Sequence, residues 1–190
     1  LFSDRLAIGV NGQTFQSGGP NAMDPPLHYA PMILVDHMSI SRGTGPVRDG
    51  MGLGGSINAQ LKQIDFGADG DWQGHADVSA SARSADQSYA LGGVAALVSD
   101  QWRVQALGEK EKGKDLRLGG GGKALATSFE RLNYGLGGGF RHDGGEIALE
   151  WRRQETSPSG NPAFAMDIDY FHSDFLRATS VNHVGGWTLN

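Results

Sequence analysis

The sequence predicts a β-class fold: a partial transmembrane antiparallel β-barrel preceded by a shorter segment of different character. Three observations carry this reading. From His75 onward, polar and apolar residues alternate with a period of two in stretch after stretch, which one face of a helix cannot satisfy. Tight turns and longer connections follow one another, as in barrels with short turns at one membrane face and loops at the other. Of the 190 residues 30 are glycine, about twice the usual share. No run approaches the roughly 18 apolar residues of a membrane helix, whereas alternating strands cross a bilayer in a chain that is polar on average.

Charge and cysteine usage exclude several classes. The chain carries 16 basic and 21 acidic residues, a net charge of −5, and lacks the basic stripe of a nucleic-acid binder. The absence of cysteine excludes disulfides, thiolate zinc sites and a cysteine nucleophile. The chain begins at Leu1 with neither Met nor a signal-peptide pattern and runs to Asn190, so both ends read as cut.

Before Phe66 the sequence consists of short apolar runs separated by Gly and Pro clusters. The linker Phe66-Gly67-Ala68-Asp69-Gly70-Asp71 is small and acidic and divides residues 1–66 from 67–190. Beyond it, Ala76, Val78, Ala80 and Ala82 alternate with Asp77, Ser79, Ser81 and Arg83. Residues 89–98 are almost entirely apolar or glycine and read as a strand by their neighbours. Trp102, Val104 and Ala106 alternate with Arg103 and Gln105, up to an irregular Leu107. Leu132, Tyr134, Leu136, Gly138 and Phe140 form one apolar series, and Ile147, Leu149 and Trp151 another. A last pair is expected over 166–171 and 175–181, with a turn at Ser173-Asp174, for about seven strands. Residues 99–101 and 142–145 read as tight turns, and 84–88, 113–128 and 156–165 as longer loops. With the short turns on the periplasmic side, Trp72, Trp102 and Phe140 form an aromatic girdle at that interface. Asp77, Arg83, Arg103, Gln105, Arg131, Glu146, Glu150 and Arg152 then face a lumen, because a charge at the lipid midplane costs a few kcal/mol.

The stretch Ile40-Ser41-Arg42-Gly43-Thr44-Gly45-Pro46-Val47-Arg48-Asp49-Gly50, followed by Gly54-Gly55-Ser56-Ile57-Asn58, resembles the end of the plug domain in TonB-dependent outer-membrane receptors. Thr44 is inserted between the Arg-Gly and Gly-Pro pairs that many members join directly. Residues 15–29, with Pro20-Asn21-Ala22-Met23-Asp24-Pro25-Pro26, are similar to a copper-associated subset in which a Cys stands where this chain has Gly19. Residues 160–168 are similar to a loop-to-strand motif of the same subset. The resemblance implies that residues 1–66 are the C-terminal part of a small mixed α/β plug and 67–190 the first strands of a barrel of about 22. It implies a bacterial outer-membrane location and energy-coupled uptake of a metal, a siderophore or other metal chelate, or a similar scarce nutrient. It implies coupling to the TonB complex of the inner membrane through a box upstream of Leu1. No cofactor is required, and bound copper or an iron chelate would be the transported substrate. Two other classes stay open at this point: a passive porin-like or adhesin barrel, and a soluble all-β binding module.

Met23, His28, Met32, His37 and Met38 fall close together in a Pro-rich region. Thioether and imidazole are soft ligands that suit copper better than magnesium or calcium, so these five are the candidate metal ligands, with Met23 and His28 flanking Asp24-Pro25-Pro26 foremost. The alternative is that Met32 and Met38 pack in a core. Glu146 and Glu150 share a strand face, which a charged lumen lining explains without catalysis. Asp167 and Asp169 are either a cation site in a loop or solvated edge polarity. No nucleophile arrangement surrounds His75, His142, His172 or His183, so no enzyme is predicted. The Gly119–Lys123 run fails as a phosphate loop, because Arg117 and Ala124 stand where that motif needs Gly and Ser or Thr.

Overall fold

Alternation becomes strand pairing over most of the chain. The computed structural model describes residues 6–14, 26–43, 52–162, 167–184 and 187–189. The chain divides into two units, Leu1–Gln63 and Ile64–Asn190. Among the described residues no helix is long and apolar enough to cross a membrane, which leaves crossing by strands open.

The first unit is a four-stranded mixed sheet of β1 (Leu6–Val10), β2 (Gln13–Thr14), β3 (Val35–Arg42) and β4 (Gly55–Leu61). The order is β2-β1-β4-β3, with β1 parallel to β4 and the other pairs antiparallel. Its helical part, among the described residues, is two single 3-10 turns, Pro26–Tyr29 and Met32–Leu34. Val10, Tyr29, Ala30, Leu34, Ala59 and Leu61 are its buried apolar side chains. The Gly-Gly-x-Ile-Asn run acquires a physical reason here. Gly55 opens β4 at φ +132°, and a Cβ there would strike the backbone oxygen of Ser41 on β3. Three residues on, the Asn58 side-chain oxygen accepts the Gly12 N–H at 3.1 Å and so ties down the turn between β1 and β2. Asn11 reciprocates, donating its backbone N–H to Ala59 O at 2.9 Å and accepting the Leu61 N–H at 2.8 Å. Gly45, Pro46, Val47 and Gly50 of the same motif, and residues 15–25, lie outside the described residues.

The second unit is a seven-stranded antiparallel sheet of β5 (Gln73–Arg83), β6 (Ser88–Val98), β7 (Trp102–Gly113), β10 (Phe129–His142), β11 (Gly145–Ser157), β12 (Phe171–Val184) and β13 (Trp187–Leu189). Consecutive strands pair as a meander, interrupted between β7 and β10 by a separate hairpin of β8 (Leu116–Arg117) and β9 (Lys123–Ala124). The connections are short at one end (residues 99–101 and 143–144) and include two long ones at the other (114–128 and 158–170).

Three expectations change. Of the pair expected over 166–171 and 175–181, Met166 lies outside the described residues, 167–170 belong to no named strand, and 175–181 is part of one longer strand, β12, paired with β11 from Thr156↔Phe171 to Gly145↔Asn182. Ser173-Asp174 is not a turn: Asp174 stands mid-ladder, where its carboxylate accepts the Trp151 indole N–H at 3.2 Å. The seventh strand is β13 instead. The loop expected at 84–88 is a four-residue turn, in which Gln87 takes a left-handed conformation (φ +50°) and the Asp86 carboxylate accepts the Ser88 N–H at 3.1 Å.

Candidate functional site

Register divides the seven-stranded sheet into two chemically different faces, since directly paired residues share a side. One face carries rows such as Leu97–Val104–Gly138–Leu149 and Ala95–Ala106–Leu136–Trp151–Leu176. Leu91, Leu97, Val104, Leu136, Leu149 and Leu176 on this face are exposed. A contiguous apolar surface of that extent marks a lipid or partner interface. Trp102 and Phe140 pair directly at the short-turn end, ring centroids 4.5 Å apart, and the exposed Trp72 precedes β5 at the same end. An indole at the border of an apolar belt suits a bilayer interface.

The opposite face is polar. Asp77, Arg83, Arg103, Gln105, Arg131, Glu146, Glu150 and Arg152 all fall on it, as the alternation predicts. It also holds Glu109, Asn133 and Gln154, one row across three strands and all buried. Asn133 donates to Glu109 at 2.8 Å, and Arg152 reaches the Asn133 oxygen at 3.5 Å while stacking 4.4 Å from the Phe175 ring. Arg177 pairs with Glu150 at 3.2 Å, and Arg131 with Glu111. Gln154, fully buried, finds no hydrogen-bond partner for either amide atom among the described residues. Such a face suits contact with water or a polar ligand rather than with lipid.

At the short-turn end, residues 64–69 lie as a strap on this polar face. The Ile64 N–H donates to Gln105 at 3.3 Å, and Arg103 donates to Ile64 O at 3.2 Å. The Phe66 ring is held by two guanidinium groups, Arg103 at 4.7 Å and Arg141 at 4.2 Å from its centroid. A side chain at Gly139 would come to 3.0 Å from that ring, so the glycine makes room for it. Gly67 N–H to Ser99 O and Asp100 N–H to Asp69 O, each 2.8 Å, complete the seam.

The candidate metal ligands are distributed over several places in the first unit. His28 sits in the first 3-10 turn, edge-on to Tyr29 with ring centroids 5.7 Å apart. Met32 starts the second turn and is 77% exposed. His37 and Met38 are consecutive on β3 and therefore point to opposite faces of the sheet; His37 Nδ1 lies 2.7 Å from the Asp36 carboxylate. Met23 lies outside the described residues. Among the described residues no three His, Asp or Glu side chains converge as a metal site.

No family model matches the chain, and no curated protein sequence does. Solved structures do. The copper transporter OprC superposes with a TM-score of 0.79 at 20% identity, covering 94% of this chain and 27% of its own. The ferric enterobactin receptor PfeA, in complex with BCV-L6, superposes with a TM-score of 0.62 at 14% identity, covering 98% of this chain and 32% of its own. The fold is that of a TonB-dependent outer-membrane receptor. The chain spans about a third or less of these receptors' length.

Within this receptor fold, sequence reasoning missed the Glu109–Asn133–Gln154 row, because Leu107 interrupts the alternation. The signal was present: Arg103, Gln105, Leu107, Glu109 and Glu111 keep one parity through β7, with a single apolar exception. The grip on Phe66 left no local signal, since its two arginines, on β7 and β10, stand far from it in sequence.

Proposed function

We propose that this chain is part of an energy-coupled outer-membrane transporter that takes up a metal, a metal chelate or a similar scarce nutrient, with copper the favoured cargo. Residues 1–66 are the later part of its plug and 67–190 the first strands of its barrel. The observation that carries the reading is the separate sheet of the first unit: β1–β4 pair among themselves and not with the seven-stranded sheet. A passive pore or an adhesin barrel would need those residues as barrel strands. The apolar face of the second sheet supports burial in lipid, and the polar face supports a lumen. Seven strands enclose too little space for a second domain, so the working barrel is larger.

Met23, His28, Met32, His37 and Met38 are the proposed contacts for copper as cargo, by the softness of their donors. The TonB complex, engaging a box upstream of Leu1, supplies the energy from the inner-membrane proton gradient. Deleting the whole gene is expected to impair growth when copper or an iron chelate limits; growth equal to wild type on both removes the metal reading. In the full-length protein, Met23→Ala with His28→Ala is expected to weaken copper binding, and an unchanged affinity would discard these ligands.

A further inference from the structure

The β8–β9 hairpin stands apart from the seven-stranded sheet at its long-loop end, and its register is unusual. Arg117 and Lys123 are direct cross-strand partners, so two cations share one side of a two-stranded ribbon. Both are exposed and neither has an ion-pair partner among the described residues. The Lys114 ammonium, at the hairpin's foot, donates to the neutral Gln87 amide at 3.0 Å. The nearby carboxylate of Asp115 is already engaged, accepting the Thr127 and Ser128 N–H groups at 3.1 Å each. The 114–128 segment therefore carries three cations and one committed carboxylate in a chain of net charge −5.

Like charges placed directly opposite destabilise a ribbon, and a lone two-stranded ribbon has little stability in reserve. This one is propped instead by its base. The Leu116 N–H donates to the Thr127 hydroxyl at 2.8 Å, that hydroxyl donates to Ala124 O at 2.8 Å, and the Arg117 N–H donates to Ala85 O at 2.8 Å. A scaffold that holds two repelling cations side by side is preorganised for a group that neutralises both. Leu116, Leu118 and Leu125 are exposed on the same segment, which adds apolar contact beside the charges.

We propose that Arg117 and Lys123 form an anion site on this hairpin, for a ligand with several anionic oxygens such as a phosphate or a polycarboxylate. The guanidinium supplies forked donors and the ammonium a point charge, and together they bracket an oxyanion. The site stands independently of transport: a protein that failed the uptake test would still give the response described next. Hydrogen exchange of the 114–128 segment is followed in the full-length protein in two settings. One is neutral detergent with and without pyrophosphate; the other is phosphatidylcholine nanodiscs with and without phosphatidylglycerol. Protection by pyrophosphate identifies a soluble anion, and protection only in the anionic nanodiscs identifies a lipid headgroup. Protection in neither overturns the proposal. Lys123→Glu replaces repulsion by an Arg–Glu pair, so it is expected to slow exchange about threefold without any anion and to abolish the response. Lys123→Arg is expected to keep it. A Lys123→Glu protein that responds as wild type does would equally overturn the site.

Discussion

Asp86 shows how one side chain fixes a turn. Its carboxyl is held below the ordinary carboxylate range by the Ser88 hydroxyl, against the opposing effect of burial, with help from the Ser88 N–H and the Arg83 charge. The Arg83 guanidinium lies 3.2 Å away, and the Asp86 carbonyl accepts the Lys114 N–H at 2.8 Å. A depressed carboxyl favours the folded state above its unfolded value near about 3.9, and that contribution disappears as pH falls through the lower folded value. Asp86→Asn is therefore expected to destabilise the protein at neutral pH, with the difference from wild type closing below about pH 4. Denaturant titrations at several pH values check this. Phe66 makes a second case, because its ring serves two guanidiniums at once. Phe66→Leu keeps apolar bulk and loses two cation–π contacts of roughly 0.5–1 kcal/mol each, so a loss of about 1–2 kcal/mol is expected. Phe66→Ala should cost more, since apolar burial goes as well. Equal effects of the two changes in equilibrium unfolding would mean that packing alone holds the strap.

At the scale of the strand, the two faces predict opposite responses to charge. Leu149 sits in the apolar row with Leu97, Val104 and Gly138. Leu149→Arg is expected to cost about 2–4 kcal/mol when the full-length protein is folded into lipid vesicles. Glu146→Gln, three residues away on the polar face, removes the loose 3.9 Å contact with Arg141 and a charge that faces Arg103, and is expected to cost under about 1 kcal/mol. Urea titration of the two variants checks the contrast. The same alternation made the faces legible in the sequence: all eight predicted lumen residues lie on the polar side. What was not legible has two physical causes. A period-two signal fades where small or polar residues occupy both parities, so Ser173-Asp174 read as a turn although it continues β12. Residues 89–98 had no readable period, yet Val94, Ala96 and Val98 are buried while Leu91 and Leu97 are exposed. Contacts made across the sheet, such as Arg103 and Arg141 on Phe66, depend on register and cannot be read from neighbours in sequence. For the Met/His group the sequence supplied ligand chemistry but no convergence, and His37 and Met38 on opposite faces of β3 show why spacing alone is a weak guide.

For the whole molecule, the order of the large sheet runs from β13 to β5, so each of these two strands has one edge without a sheet partner among the described residues. β5 is eleven residues long, and such an edge is a template for another strand. The lateral face adds a second source of association, with Val78, Leu91, Val104, Leu136, Leu149 and Leu176 exposed. The two sources separate by solvent. Detergent covers an apolar face but leaves backbone donors and acceptors at an edge unsatisfied, and that cost falls only when another strand pairs. The 190-residue chain is therefore expected to aggregate in buffer and, in micelles, to form oligomers joined edge to edge. The full-length protein, whose barrel would pair both edges, is expected to be smaller and homogeneous in the same detergent. Light scattering coupled to gel filtration distinguishes the outcomes. A chain that is monomeric and folded in plain buffer would show that the apolar face needs no lipid, and would return the fold to the class of soluble binding modules.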